Sequence, residues 1–137
     1  MKVLLDTNVI MDALQERRPF DMEAEEILKR GQDGEIDILF TANAATDIFY
    51  LYSKARGVKS AHTAIEFLLN TYGVVDITHG DCLGALKIPI EDFEDALAAE
   101  CARKAGVDYI VTRDDKFQGG TSPVTAISPA ALLEKLK

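Results

Sequence analysis

Three consecutive apolar residues, Val3-Leu4-Leu5, end on Asp6, and Thr7-Asn8 then lead into a helix-like run from Val9. A short, wholly apolar segment of this kind has the composition of a strand buried on both faces, as in a parallel sheet. In open parallel sheets ligands bind just beyond the carboxyl ends of the strands. The pattern therefore delivers one carboxylate to that edge. Far down the chain, Tyr109-Ile110-Val111-Thr112-Arg113-Asp114 repeats the arrangement. The two segments predict a fold that carries acids from distant parts of the chain to one place.

The rest of the sequence alternates in the same way. Strands are expected near Val3–Asp6, Ile36–Phe40, Val74–Ile77 and Tyr109–Thr112, with a further one at Val124–Ala126. Apolar residues at helical spacing predict helices over Val9–Leu14, Asp21–Arg30, Ala44–Ala55, Ser60–Thr71, Asp81–Leu86 and Asp92–Lys104. Gly106 stops the last of these. Ser128 as N-cap and Pro129 at the first helical position predict a closing helix to Leu136. Strand–helix alternation predicts an α/β fold: a parallel sheet of four or five strands with helices on both faces. The 137 residues fit a single domain, residues 1–137. Gly119-Gly120-Thr121-Ser122-Pro123 is the stretch with the composition of a mobile loop.

With 47% hydrophobic residues and no apolar run near the ~20 residues of a membrane helix, the expectation is a soluble protein with no membrane partner. No signal peptide is visible. Cys82 and Cys101 lack any close metal or redox spacing. They read as buried free thiols in a reducing cytoplasm.

Each acid has a bland reading. Asp6 and Asp114 both stand where a residue caps the next helix, and Thr7 and Asp115 beside them could do the same. Asp92 and Asp95 have the spacing of a capping box; Asp92 is then the cap and Asp95 lies in a first turn where the helix dipole favours its ionised form. Ala96, Ala98, Ala99 and Ala102 behind it would let that helix approach the sheet closely, aiming Asp95 at the strand ends. Asp47, read in isolation, is a solvent-facing acid near a helix start. As a set, Asp6, Asp47, Asp95 and Asp114 can all reach one edge of the sheet. Four carboxylates together cannot all stay ionised without a cation, and an all-oxygen cluster suits Mg²⁺ or Mn²⁺. His62 reads as a helix packing or surface residue and His79 as a loop or cap residue.

Four segments, Leu5-Asp6-Thr7-Asn8-Val9-Ile10-Met11-Asp12, Thr46-Asp47-Ile48-Phe49-Tyr50-Leu51, Asp92-Phe93-Glu94-Asp95-Ala96-Leu97-Ala98-Ala99 and Ile110-Val111-Thr112-Arg113-Asp114-Asp115-Lys116-Phe117, resemble a PIN domain, in the right order and over essentially the whole chain. The resemblance implies a three-layer α/β/α sandwich. It also implies a metal-dependent ribonuclease, most often the VapC-type toxin of a toxin–antitoxin pair, usually a homodimer. Asp6, Asp47, Asp95 and Asp114 fall on the family's acidic positions, and Asn8 and Thr112 on supporting polar ones. The second acid is commonly Glu, so the shorter Asp47 would reach a metal through water. Asp12 matches the pattern but is expected a helical turn or more from the metals.

The net charge of −8 is awkward for an RNA partner. Two divalent ions would offset half of it. Arg17-Arg18, Lys54-Ala55-Arg56 with Lys59, and Arg113 with Lys116 are candidate basic patches, each of which alone reads as solvated surface. A haloacid-dehalogenase-like phosphatase would need an acid where Asn8 stands. A receiver domain would need paired acids after the first strand, and only Asp6, with Asp76 after the third, is available. A PIN-like scaffold would have lost its acids, which this chain retains. Apolar Phe49, Tyr50, Tyr52, Phe67 and Leu69, spread around two consecutive helices, predict a dimer surface.

Overall fold

A computed structural model describes residues 1–118 and 121–137; Gly119 and Gly120, part of the expected mobile loop, lie outside the described residues. The chain runs β1 (Lys2–Leu5), α1 (Thr7–Leu14), α2 (Asp21–Gln32), β2 (Asp37–Thr41), α3 (Ala42–Arg56), α4 (Val58–Thr71), β3 (Gly73–Val75), α5 (His79–Ala85), α6 (Phe93–Ala105), β4 (Tyr109–Val111), α7 (Asp115–Gln118), β5 (Ala126–Ile127) and α8 (Pro129–Lys135). The five strands form one sheet in the order β3-β2-β1-β4-β5. All neighbouring pairs are parallel, with Leu4 beside Leu39 on one side and Ile110 on the other.

Because side chains alternate across a strand, the apolar runs feed two cores. Val3, Leu5, Ile38, Phe40 and Val111 pack with Val9, Ile10, Ile27, Ile48, Leu68 and Leu132, from α1, α2, α3, α4 and α8. Leu4 and Ile110 turn to the opposite face, where Ala96, Ala99, Cys101 and Ala102 of α6 meet them together with Ala85 of α5. This is the expected α/β/α sandwich. The small residues of α6 allow its close approach, and Gly106 ends it in the left-handed conformation at φ 69°. Among the described residues no helix is long and apolar enough to cross a membrane.

Several boundaries depart from the sequence reading. Helix α3 begins at Ala42, because the Thr41 hydroxyl accepts from Ala44 N–H and nucleates it early. Asp47 thus stands in the second turn, not near the start. Helix α5 begins at His79, capped by a reciprocal Thr78–Asp81 box. Helix α7 was implied only by the capping reading of Asp114 and given no range; four residues carry too little periodicity to show one. The last strand lies at Ala126–Ile127 rather than Val124–Ala126. Cys101 is buried and Cys82 only half-buried.

Candidate active site

The chain leaves β1 on one side of the sheet to build β2 and β3, then returns to lay β4 against the other side of β1. The strand order reverses there, which opens a crevice at the carboxyl ends of β1 and β4. Asp6 N–H bonds to Val111 O at 2.9 Å, so the residues following the two strands are locked side by side.

Asp6 both caps and faces the crevice. Its Oδ1 accepts from Thr7 N–H at 2.8 Å. Its Oδ2 accepts from Thr112 Oγ1 at 2.7 Å and from Asn8 Nδ2 at 3.3 Å. Asn8 and Thr112 thus both donate to the Asp6 carboxylate. Burial pushes the Asp6 carboxyl above its usual range; the Thr112 and Thr7 bonds oppose this, and the charges of Asp114 and Asp92 add to it.

Asp92 caps α6, accepting from Asp95 N–H at 3.0 Å. Among the described residues the reciprocal bond is not formed, which leaves the Asp95 carboxyl to the crevice. Asp95 lines a narrow cavity with Leu4, Leu5, Asp6, Thr41 and Asn43. It also lines an adjoining cleft of about 560 Å³ with Asp92, Asp114, Lys116 and Phe117. Desolvation, followed by repulsion from Asp92, Asp6, Asp114 and Glu94, pushes Asp95 up to about 6. Asp114 caps α7 through Lys116 N–H, at 2.9 Å to Oδ1; the alternative cap, Asp115, is the first residue of that helix.

Glu94 is the site residue that sequence reasoning missed. It lines the narrow cavity. Although the residue is exposed overall, partial desolvation of its carboxyl raises its pKa first, and the nearby acid Asp47 adds to the rise. Three acids within four residues at the start of α6 were the available signal. Asp47 is therefore placed against Glu94, while Asp6, Asp95 and Asp114 surround the crevice itself.

Several cations of the basic patches stand near acids or rings of the protein itself, though Arg18 keeps 80% of its side chain exposed. Arg113 lies against Asp12, Arg17 is 4.0 Å from Asp12, Arg18 is 3.6 Å from Asp21, and Lys54 stands over the Tyr50 ring. Lys116 alone of the suggested cations lines the wide cleft.

The all-oxygen donor set and its mutual repulsion fit a hard divalent cation in kind. As the side chains stand, no three acidic, His or Cys groups among the described residues close around a metal position, so binding would draw the carboxylates inward.

Fold and site together define a parallel α/β sandwich with an acid-lined crevice at the switch point of its sheet. The sequence profile of the PIN domain matches residues 2–116, and the chain belongs to the PIN domain family. It is 26% identical over 121 residues to Ribonuclease VapC1 of Aquifex aeolicus, covering 85% of this chain and 83% of that protein. Its fold is similar to that in the DNA-bound VapBC structure from Salmonella typhimurium (TM-score 0.72, 14% identity, 94% of this chain and 98% of that one). It is also similar to VapC20 of Mycobacterium tuberculosis, described as a sarcin-ricin loop cleaving toxin (TM-score 0.69, 15% identity, 85% and 93%).

Proposed function

We propose that this chain is a single-domain ribonuclease that hydrolyses RNA phosphodiester bonds with Mg²⁺ or Mn²⁺, as the toxin of a toxin–antitoxin pair. The observation that carries it is the meeting of Asp6, Asp95 and Asp114 at the switch point, where desolvation and then the neighbouring acids push Asp95 up to about 6. The curated relative named a ribonuclease and the VapBC structures support the biological role. Asp6, Asp95 and Asp114 would hold the ion, with Asp47 and Glu94 beside them. A divalent ion there supplies a lowered water pKa and neutralises charge at a phosphate.

The chain's own residues do the rest. Thr112, Asn8 and Thr7 N–H aim the Asp6 carboxyl and favour its ionised form. Asp92 fixes the first turn of α6, and so the direction of Asp95. Lys116, at the rim of the cleft, meets a backbone phosphate. The partners are single-stranded RNA, an antitoxin, and a second copy of the chain through α3 and α4, where Tyr50 is 59% and Leu69 50% exposed. Phosphatase chemistry of the dehalogenase kind is disfavoured, since Asn8 is an amide donating to Asp6.

The test is cleavage of single-stranded RNA by homogeneous protein, with Mg²⁺ or Mn²⁺ and with excess chelator. Cleavage is expected only with metal and is expected to be lost in Asp95→Asn. Cutting that persists in chelator, or an Asp95→Asn protein as fast as wild type, overturns the assignment.

A further inference from the structure

Residue 113 sits between Thr112, which donates to Asp6, and Asp114, the acid on the far side of the crevice. One face of α1 holds it at two points. Asn8 and Asp12 are four residues apart and share that face. Asn8 Oδ1 accepts from the Arg113 backbone N–H at 3.4 Å. Asp12, only 1% exposed, takes the guanidinium as a fork, with Nε to Oδ2 at 2.5 Å and Nη2 to Oδ1 at 3.0 Å. The Phe20 ring packs against the guanidinium, 4.0 Å from its centre. Asn8 donates in turn to Asp6, so Asp6, Asn8, residue 113 and Thr112 form a closed ring of contacts.

A guanidinium spent in this way is not presented to a phosphate. A bidentate Arg–carboxylate pair fixes direction as well as distance. We infer that the Asp12–Arg113 pair is a positioning strut: it ties the turn after β4 to α1 and so sets the spacing of Asp6 and Asp114 across the crevice. Arg113 is then not a substrate-binding cation, and the buried Asp12 serves the site from a distance. The inference rests on the proposed metal site, and its test separates the two.

Asp12→Asn, Arg113→Gln, the double variant and the charge-keeping Arg113→Lys are titrated with Mg²⁺ by calorimetry, well below their melting temperatures. Amide hydrogen exchange of the metal-free proteins is read at residues 113 and 114. Each single neutral variant is expected to bind Mg²⁺ about 10- to 100-fold more weakly, as for outer partners of metal ligands. The double variant should lose no more than the worse single one, and both amides should exchange faster. Arg113→Lys should recover only part of the affinity, because an ammonium cannot hold both Asp12 oxygens; it also serves if the neutral variants do not fold.

A lower melting temperature with unchanged Mg²⁺ affinity and unchanged exchange would make the pair merely structural and overturn the inference. Weaker RNA binding with a shallower salt dependence in Arg113→Gln, at intact Mg²⁺ affinity, would make Arg113 a phosphate contact instead. If the wild type takes up no Mg²⁺, the proposed function fails. The strut then stands or falls on hydrogen exchange alone, faster exchange at 113 and 114 supporting it and unchanged exchange refuting it.

Discussion

Asp95→Asn, studied in metal-free protein as a function of pH, tests whether the acids crowd together. Asp95 sits near 6 instead of 3.8, chiefly through desolvation and then repulsion from Asp92, Asp6, Asp114 and Glu94. Such a displacement is nominally ~3 kcal/mol. Asp95 keeps part of its surface in water, so screening reduces this to about 1 kcal/mol. Loss of the first-turn charge–dipole interaction opposes it by ~0.3–1 kcal/mol.

The sign follows from the raised folded-state pKa. The native state binds the proton more tightly than the unfolded chain, so the penalty is absent below 3.8, grows between 3.8 and about 6, and is complete above that. At pH 8 the apo variant should therefore match wild type or exceed it by up to ~1 kcal/mol, roughly 3 °C in melting temperature. Below pH 4 any such advantage should be gone. Mg²⁺ should raise the wild-type melting temperature by mass action and the variant's less. Thermal melts across pH, with Mg²⁺ and with chelator, read all of this. A variant less stable than wild type at pH 8, with a difference that does not change with pH and no Mg²⁺ response in the wild type, would refute the crowded site and leave Asp95 a simple first-turn acid.

Three further outcomes follow from single contacts. Tyr72→Phe removes a buried bond from the phenol to Leu28 O at 2.8 Å; urea unfolding should show a loss of ~1 kcal/mol. Asp12→Ala removes the buried partner of Arg113, whose guanidinium keeps part of its surface in water, and should cost ~1–3 kcal/mol by the same measurement, more than Asp115→Ala at the exposed start of α7. Leu69→Glu places a charge on the exposed apolar face of α4; light scattering at high micromolar concentration should show wild-type dimer and variant monomer, and a monomeric wild type would remove the proposed dimer surface.

Strand composition and the order of elements were legible because they are local. Val3-Leu4-Leu5 and Tyr109-Ile110-Val111 have no polar residue to turn toward solvent, so they had to be buried on both faces, and alternation with helices made the sheet parallel. The four acids were legible by the residues around them, and Asp6 and Asp114 by their place at the ends of apolar runs. The α3 start was misjudged because the hydroxyl of Thr41, three residues before the expected start at Ala44, decided it, through a bond that composition does not display.

Convergence is different, because it depends on strand order, and no local pattern encodes which side of β1 receives β4. That choice placed the switch point between Asp6 and Asp114. It also turned Asp12 and Arg113, 101 residues apart, from a pattern residue and a supposed surface cation into a pair whose acid is buried and whose guanidinium is half-covered. Glu94 and Asp47 came near each other in the same way, because α3 and α6, on opposite faces of the sheet, both begin at its carboxyl edge. Charge in the sequence is a list of residues; whether two of those charges repel, pair or reach solvent is set by distance and burial, and those exist only once the sheet has closed.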